Sequence, residues 1–150
     1  EEFKLNDITV KTMLLSHPGT CLGYRFEYKN RSICYITDNE LFPEGTKEHN
    51  ANYWGKLTDF IHATDILITD ATYTDEEYAM KSQWGHSAIS QVVKLAHGAE
   101  VKELHLIHHD PDQSDDDIDS KLASAEKLLK ELKSKTKCLA PKERETFQVL

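Results

Sequence analysis

Positive charge is scarce in this sequence. Eighteen Lys and Arg stand against 26 Asp and Glu, for a net charge of −8. No basic stripe is available to release counterions from a nucleic-acid backbone, which disfavours non-specific binding to one. A phosphate substrate stays open, because a bound divalent cation outweighs local side-chain charge. Cysteine is scarce too. Cys21, Cys34 and Cys138 are odd in number and no two stand in Cys-x-x-Cys spacing, so no disulfide framework is expected. They read as reduced thiols in a cytoplasmic protein. No apolar run approaches membrane-spanning length, and no signal-peptide pattern is visible. Internal repeats and low-complexity linkers are missing. The chain begins Glu1-Glu2 rather than Met, as a fragment or a processed product would.

What is present fits one folded domain. A length of 150 residues with 39% hydrophobic content can bury a core, though not a large one. Residues 7–15 are β-like, with Ile8, Val10, Thr12 and Leu14 on one face. Pro18 and Gly19 break the pattern. Residues 22–28 and 32–37 read as a hairpin. Residues 52–63 place Trp54, Leu57 and Ile61 at helical spacing, and 65–69 form a short, continuously apolar strand. Residues 86–98 predict a helix with Ile89, Val92, Val93 and Ala96 on one face and Gly98 as its stop. A strand follows at 103–107. The longest helix is predicted over 114–135, with a stripe of Ile118, Leu122, Ala125, Leu129 and Leu132. Its acidic start and basic end suit the helix dipole. Residues 145–149 are expected to close the chain as a strand. This order is α/β, with helices packed on one sheet.

The polar exceptions fall just after strands. Four strand ends carry His17, Asp38, Asp70 and His108, and His86 is placed at the start of a helix. Imidazole and carboxylate at converging strand ends suit a divalent metal. Taken singly, each has a blander reading. An Asp at a strand end is usually a turn or cap residue, and a His before Pro-Gly is usually a turn neighbour. His49, His62, His97 and His105 read as surface or packed histidines, and "DQSDDDID" reads as an acidic helix start rather than a calcium loop.

In order, these segments resemble the later motifs of the metallo-β-lactamase fold, in its ribonuclease Z and cyclic-nucleotide phosphodiesterase-like branch. "LSHPGTCLGYRFE" resembles that branch's His-loop-Gly-Tyr-Arg element, which implies His17 as a metal ligand. "ICYITDNE" resembles the strand ending in the metal-bridging Asp, here Asp38. "DILITDATY" resembles an apolar strand followed by Glu-Ala-Thr-aromatic, with Asp70 in the place of the Glu. "WGHSA" resembles Gly-His-Ser-Thr and supplies His86. "LHLIHHDP" resembles the last motif, whose first His, His108, binds the second metal. The resemblance covers residues 5–150.

The fold's signature His-x-His-x-Asp-His does not occur in the chain. The resemblance therefore implies one domain, 1–150, equivalent to the C-terminal half of an αββα sandwich. It implies two divalent ions, zinc or manganese, in the intact enzyme, with an incomplete ligand set here. The implied activity is cleavage of a small phosphodiester or nucleotide, with His86 as proton donor oriented by Asp70. Substrate-binding residues are not indicated; Trp84 reads as a packing residue with lining a substrate entrance as the alternative, and Arg25 suits a phosphate contact and a strand-surface ion pair equally. The alternative is a truncated or degenerate half-domain without catalysis, acting by pairing with the missing N-terminal half or as a homodimer. Neither reading involves a membrane.

Overall fold

The computed structural model describes residues 1–149. One seven-stranded sheet runs in the order β1-β2-β3-β4-β5-β6-β7. The strands are β1 (Glu2–Leu5), β2 (Ile8–Leu14), β3 (Leu22–Tyr28), β4 (Arg31–Ile36), β5 (Ile66–Asp70), β6 (Glu103–Ile107) and β7 (Lys137–Leu139). Helix α1 (Ala51–Ile61) precedes β5, and α2 (Asp75–Lys81) and α3 (Ile89–Gly98) precede β6. Helix α4 (Asp115–Glu131) precedes β7. The first four strands pair antiparallel and β4 to β7 pair parallel. The expected α/β class, helices on a single sheet, is what the chain forms.

This mixed topology decides where polar side chains meet. β4, β5 and β6 are parallel, so their C-terminal ends share one edge. β2 is two antiparallel steps from β4, so it also ends at that edge. The β3–β4 turn is set by Lys29 and Asn30, both at positive φ, as a two-residue hairpin requires.

One face of the sheet carries the helices. Cys34, Ile36, Leu67, Leu104 and Leu106 are buried there against Leu57 and Ile61 of α1, Val92, Val93 and Ala96 of α3, and Ala125 and Leu129 of α4. Among the described residues, the opposite face carries no helix. Register places Phe3, Val10, Phe26 and Ile33 in one row across it, and Thr12, Tyr24, Tyr35 and Ile68 in another. Phe3, Leu5, Leu14 and Tyr28 on this side are 51%, 59%, 61% and 43% exposed. Apolar side chains are thus left exposed on this side of the sheet.

Four sequence expectations need correction. Residues 145–149 form no strand; β7 at Lys137–Leu139 takes the edge beside β6, and the Phe147 ring lies against His105. β1 was not anticipated, because its four residues are all exposed and lack a buried face to pattern them. α3 starts at Ile89 and runs through Gly98. His86 lies before α3, in the segment where Ala88 bridges Tyr73 and the Gly85 N–H is held by Glu40. On α4, Ala125 and Leu129 of the expected stripe are buried and Leu122 and Leu132 pack against the core, but the buried face also includes Lys121, which was not expected there.

Candidate functional site

The shared edge assembles the polar residues. His17 lies in the loop after β2, Asp38 two residues past β4, Asp70 at the end of β5 and His108 one residue past β6. His86 is carried in by the segment that bridges Tyr73 to Ala88. Asp38, His86 and His108 each offer a donor atom, and these atoms lie within 4.8 Å of one another. His108 Nε2 is 3.2 Å from Asp38 Oδ1. His17 is adjacent but outside this cluster. Its ring centroid is 5.7 Å from that of His86, and its Nδ1 accepts from the Gly19 N–H at 3.0 Å. His86 and His108 stack with ring centroids 4.7 Å apart.

Asp70 is fully buried behind the histidines. Its Oδ2 accepts from His86 Nδ1 at 2.7 Å and from the Asn39 N–H at 3.1 Å. Its Oδ1 accepts from the Thr72 hydroxyl at 2.8 Å and from the N–H groups of Thr72 and Ser87 at 3.1 and 3.4 Å. The bond to Asp70 raises the His86 pKa above the ordinary imidazole value, against the opposing effect of burial. It also leaves His86 Nε2 as the nitrogen free to act. Asp38 is held below the usual carboxylate range, first by the Thr37 hydroxyl at 2.7 Å and further by the nearby His108 and His86.

Backbone geometry supports the site. His108 sits at φ +58, uncommon for a non-glycine residue and a mark of functional sites. Gly85 has φ +95, and a Cβ there would run into the His17 ring and come 2.8 Å from Pro18 Cδ. Only glycine lets the His86 segment approach the His17 loop this closely.

Three contributors were not visible in the sequence. Glu40, 2% exposed, accepts from Tyr78 Oη at 2.8 Å and from the N–H groups of Gln83 and Gly85 at 2.6 and 2.8 Å. It thereby fixes the loop that delivers His86. Lys121 Nζ donates to the carbonyls of Ala71 and Thr72 at 2.7 and 3.0 Å and to Gln113 Oε1 at 2.7 Å. Burial pushes its pKa down to about 8. Thr72 links Asp70 to His108. The only local signal was a lysine in register with Ala125 and Leu129 on α4. His109 is half-buried with Nδ1 unpartnered, and burial pushes its pKa down to about 4.

The donor set suits a metal ion. Mixed imidazole and carboxylate donors are what zinc takes. Two donors sharing one tetrahedral zinc sit roughly 3.3 Å apart, close to the 3.2 Å between His108 Nε2 and Asp38 Oδ1. Asp38 and His108 could share one ion and leave positions open on it; two ions need further ligands.

Residues 2–109 match the family model for the beta-lactamase superfamily domain. The chain belongs to this family. Ribonuclease Z from Thermoplasma volcanium is 35% identical over 144 residues, covering 73% of this chain and 47% of the relative. Yeast PDE1, solved without ligand, superposes with a TM-score of 0.71 at 11% identity, over 95% of this chain and 47% of that one. Zn(2+)-bound PqqB from Methylobacterium extorquens superposes with a TM-score of 0.62 at 14% identity, over 93% of this chain and 51% of that one. At those identities the two structures establish the fold alone. The chain spans about half the length of this relative and of these two structures.

Proposed function

We propose that this chain supplies half of the active site of a metal-dependent hydrolase that cleaves phosphodiester bonds. The observation that carries the reading is the convergence of Asp38, His86 and His108 within 4.8 Å, with buried Asp70 bonded to His86 behind them. The ribonuclease Z relative supports the reaction class. Asp38, His108 and His17 would hold divalent ions, zinc or manganese. When bound, such an ion supplies Lewis acidity, polarising a phosphoryl oxygen and making water acidic at neutral pH.

The chain's own residues do the rest. Asp70 holds the His86 ring through Nδ1 and stabilises its protonated form, so Nε2 can pass a proton to the leaving oxygen. The Glu40 loop and the Lys121 anchor keep this pair in place. Residues 1–150 would form the C-terminal half of a two-sheet sandwich. The bare apolar face would then be covered by the complementary half, which would bring the His-x-His-x-Asp-His ligands. The substrate would be a small phosphodiester, a nucleotide or an RNA end, with the net negative charge disfavouring extended RNA. The lone, unpaired cysteines fit a cytoplasmic setting.

A second reading has one observation in its favour. His86 belongs to the convergent cluster and His17 does not, which suits His86 as a ligand through Nε2 with Asp70 as the carboxylate behind it. Zinc or manganese titration of the 150-residue chain, with elemental analysis, separates the two. Asp38→Ala and His108→Ala should each abolish binding, whereas His86→Ala should leave it intact. Loss of metal in His86→Ala would convert the proton donor into a ligand. Binding unaffected by Asp38→Ala and His108→Ala would overturn the centre altogether. The chain by itself should not turn over an aryl phosphodiester; turnover comparable to a whole enzyme would contradict the half-site.

A further inference from the structure

We propose that the outer edge of β1 is a dimer interface, at which β1 pairs antiparallel with β1 of a second copy of this chain. β1 stands first in the strand order and pairs on one side only, with β2. The alternation of an antiparallel ladder fixes which of its backbone groups face outward. Glu1 and Thr12 exchange both backbone bonds, at 2.8 and 3.1 Å. Phe3 faces Val10 and Leu5 faces Ile8 at the same phase of the ladder, so their N–H and C=O groups also serve β2. Glu2 and Lys4 alternate with them and turn their N–H and C=O groups away from β2. Among the described residues, no strand takes these groups up. An unpaired edge of this kind is a template for another strand.

Backbone and side chains select the same register. The hydrogen-bonded pairs of the new ladder can only be made by Glu2 and Lys4. With Phe3 opposite Phe3 of the second copy, on the two-fold axis, Glu2 meets Lys4 of the second copy and Lys4 meets its Glu2. Each of these pairs exchanges both backbone bonds and sets opposite charges face to face. A slip of two residues either way sets Glu2 against Glu2 or Lys4 against Lys4, and like charges directly opposite are destabilising. All four residues of β1 are exposed, so no rearrangement has to uncover them. Phe3 forms the non-hydrogen-bonded pair, in which Cα atoms come within about 4.5 Å and the side chains are closest. It is 51% exposed and lies on the helix-free face, so pairing takes two rings out of water. The contact is isologous and closes on itself, so it does not propagate into a fibre. β2 and β3 separate β1 from β4, which leaves the edge carrying Asp38, His86 and His108 open. The interface therefore does not depend on the reaction proposed for that edge.

Sedimentation equilibrium of the full chain over rising concentration, with charge reversals, tests the interface. A contact this short belongs to the weak class that buries less than about 1,200 Å². The mass should therefore move from one chain toward two only as the concentration approaches about 1 mM. Glu2→Lys sets lysine against lysine across the axis, and Lys4→Glu sets glutamate against glutamate, so each variant alone should stay monomeric. Mixed in equal amounts, the two variants should associate with each other, because both pairs then join lysine to glutamate. Each variant keeps its own altered hairpin in the mixture, so recovery there reports pairing between chains rather than repair within one. Exchange of the Lys4 amide with solvent, read by NMR, should slow as the wild-type dimer forms. A wild type that stays monomeric to about 1 mM overturns the proposal. So do single reversals that dimerise as the wild type does, which would move the contact to the bare face, a mixture that stays monomeric, and a Lys4 amide that exchanges equally fast in the dimer.

Discussion

Asp70→Asn is the substitution whose consequences the structure specifies most fully. The side chain keeps its size, so packing is not disturbed. Asp70 is fully buried, and every group facing its two oxygens is a donor. An amide must replace one oxygen by NH2. With the NH2 at Oδ2, it confronts the Asn39 N–H and His86 Nδ1. With the NH2 at Oδ1, it confronts the Thr72 and Ser87 N–H groups. Either orientation leaves at least one buried backbone donor unpaired, at a cost of about 1–3 kcal/mol. The charge-assisted bond to His86, in the range of about 1.5–3 kcal/mol, is lost as well. Together the loss should be about 3 kcal/mol, well beyond the ~1 kcal/mol of an average substitution. With a urea m-value of about 1–3 kcal/mol/M, the unfolding midpoint should drop by more than about 1 M. The assay is urea denaturation of wild type and variant followed by circular dichroism. An equal midpoint would mean that the buried carboxylate network is not what organises this edge.

Other outcomes follow from the same geometry. In the protein assembled with its complementary half, His86→Ala should lower phosphodiester turnover on the order of a hundred-fold or more, with metal content unchanged by elemental analysis. Gly85→Ala should destabilise by about 1–3 kcal/mol, since it combines an unfavourable φ with a clash against His17 and Pro18; urea unfolding measures this. Burial holds the Lys121 pKa at about 8, while an unfolded lysine titrates at about 10.4. Between those values the unfolded chain binds the extra proton, so wild-type stability should rise with pH across the window. Lys121→Met should lack that rise when midpoints at pH 7.5 and 9.5 are compared. Leu5→Asp with Leu14→Asp, both on the bare face, should abolish any self-association of the chain seen by sedimentation.

How far the sequence carried depends on the range of the interactions involved. β2 to β6 and α1, α3 and α4 were legible because apolar periodicity and turn residues act locally. β1 and β7 were not. One is exposed on all four residues, and the other is three residues long, so neither carries a pattern. Residues 145–149 have strand-forming composition but pair with no strand; the Phe147 ring instead lies against His105. The candidate residues were legible as polar interruptions at strand ends, and the topology brings those ends together. Their distribution within the site was not legible. The placement of His86 before α3 depends on the Tyr73–Ala88 bridge and on Glu40, more than 40 residues away in sequence from Gly85. Lys121 reaches Ala71 across 50 residues. No local window contains such pairs.

On the proposed assignment, Asp38 and His108 hold a metal while His86, tied to Asp70, stays outside its coordination. An anomalous difference map from a zinc-loaded crystal of the chain tests this most directly. The expected peak lies about 2.0–2.2 Å from His108 Nε2 and an Asp38 oxygen, with His86 Nε2 beyond bonding distance. A peak bonded to His86, or no peak between Asp38 and His108, would contradict it.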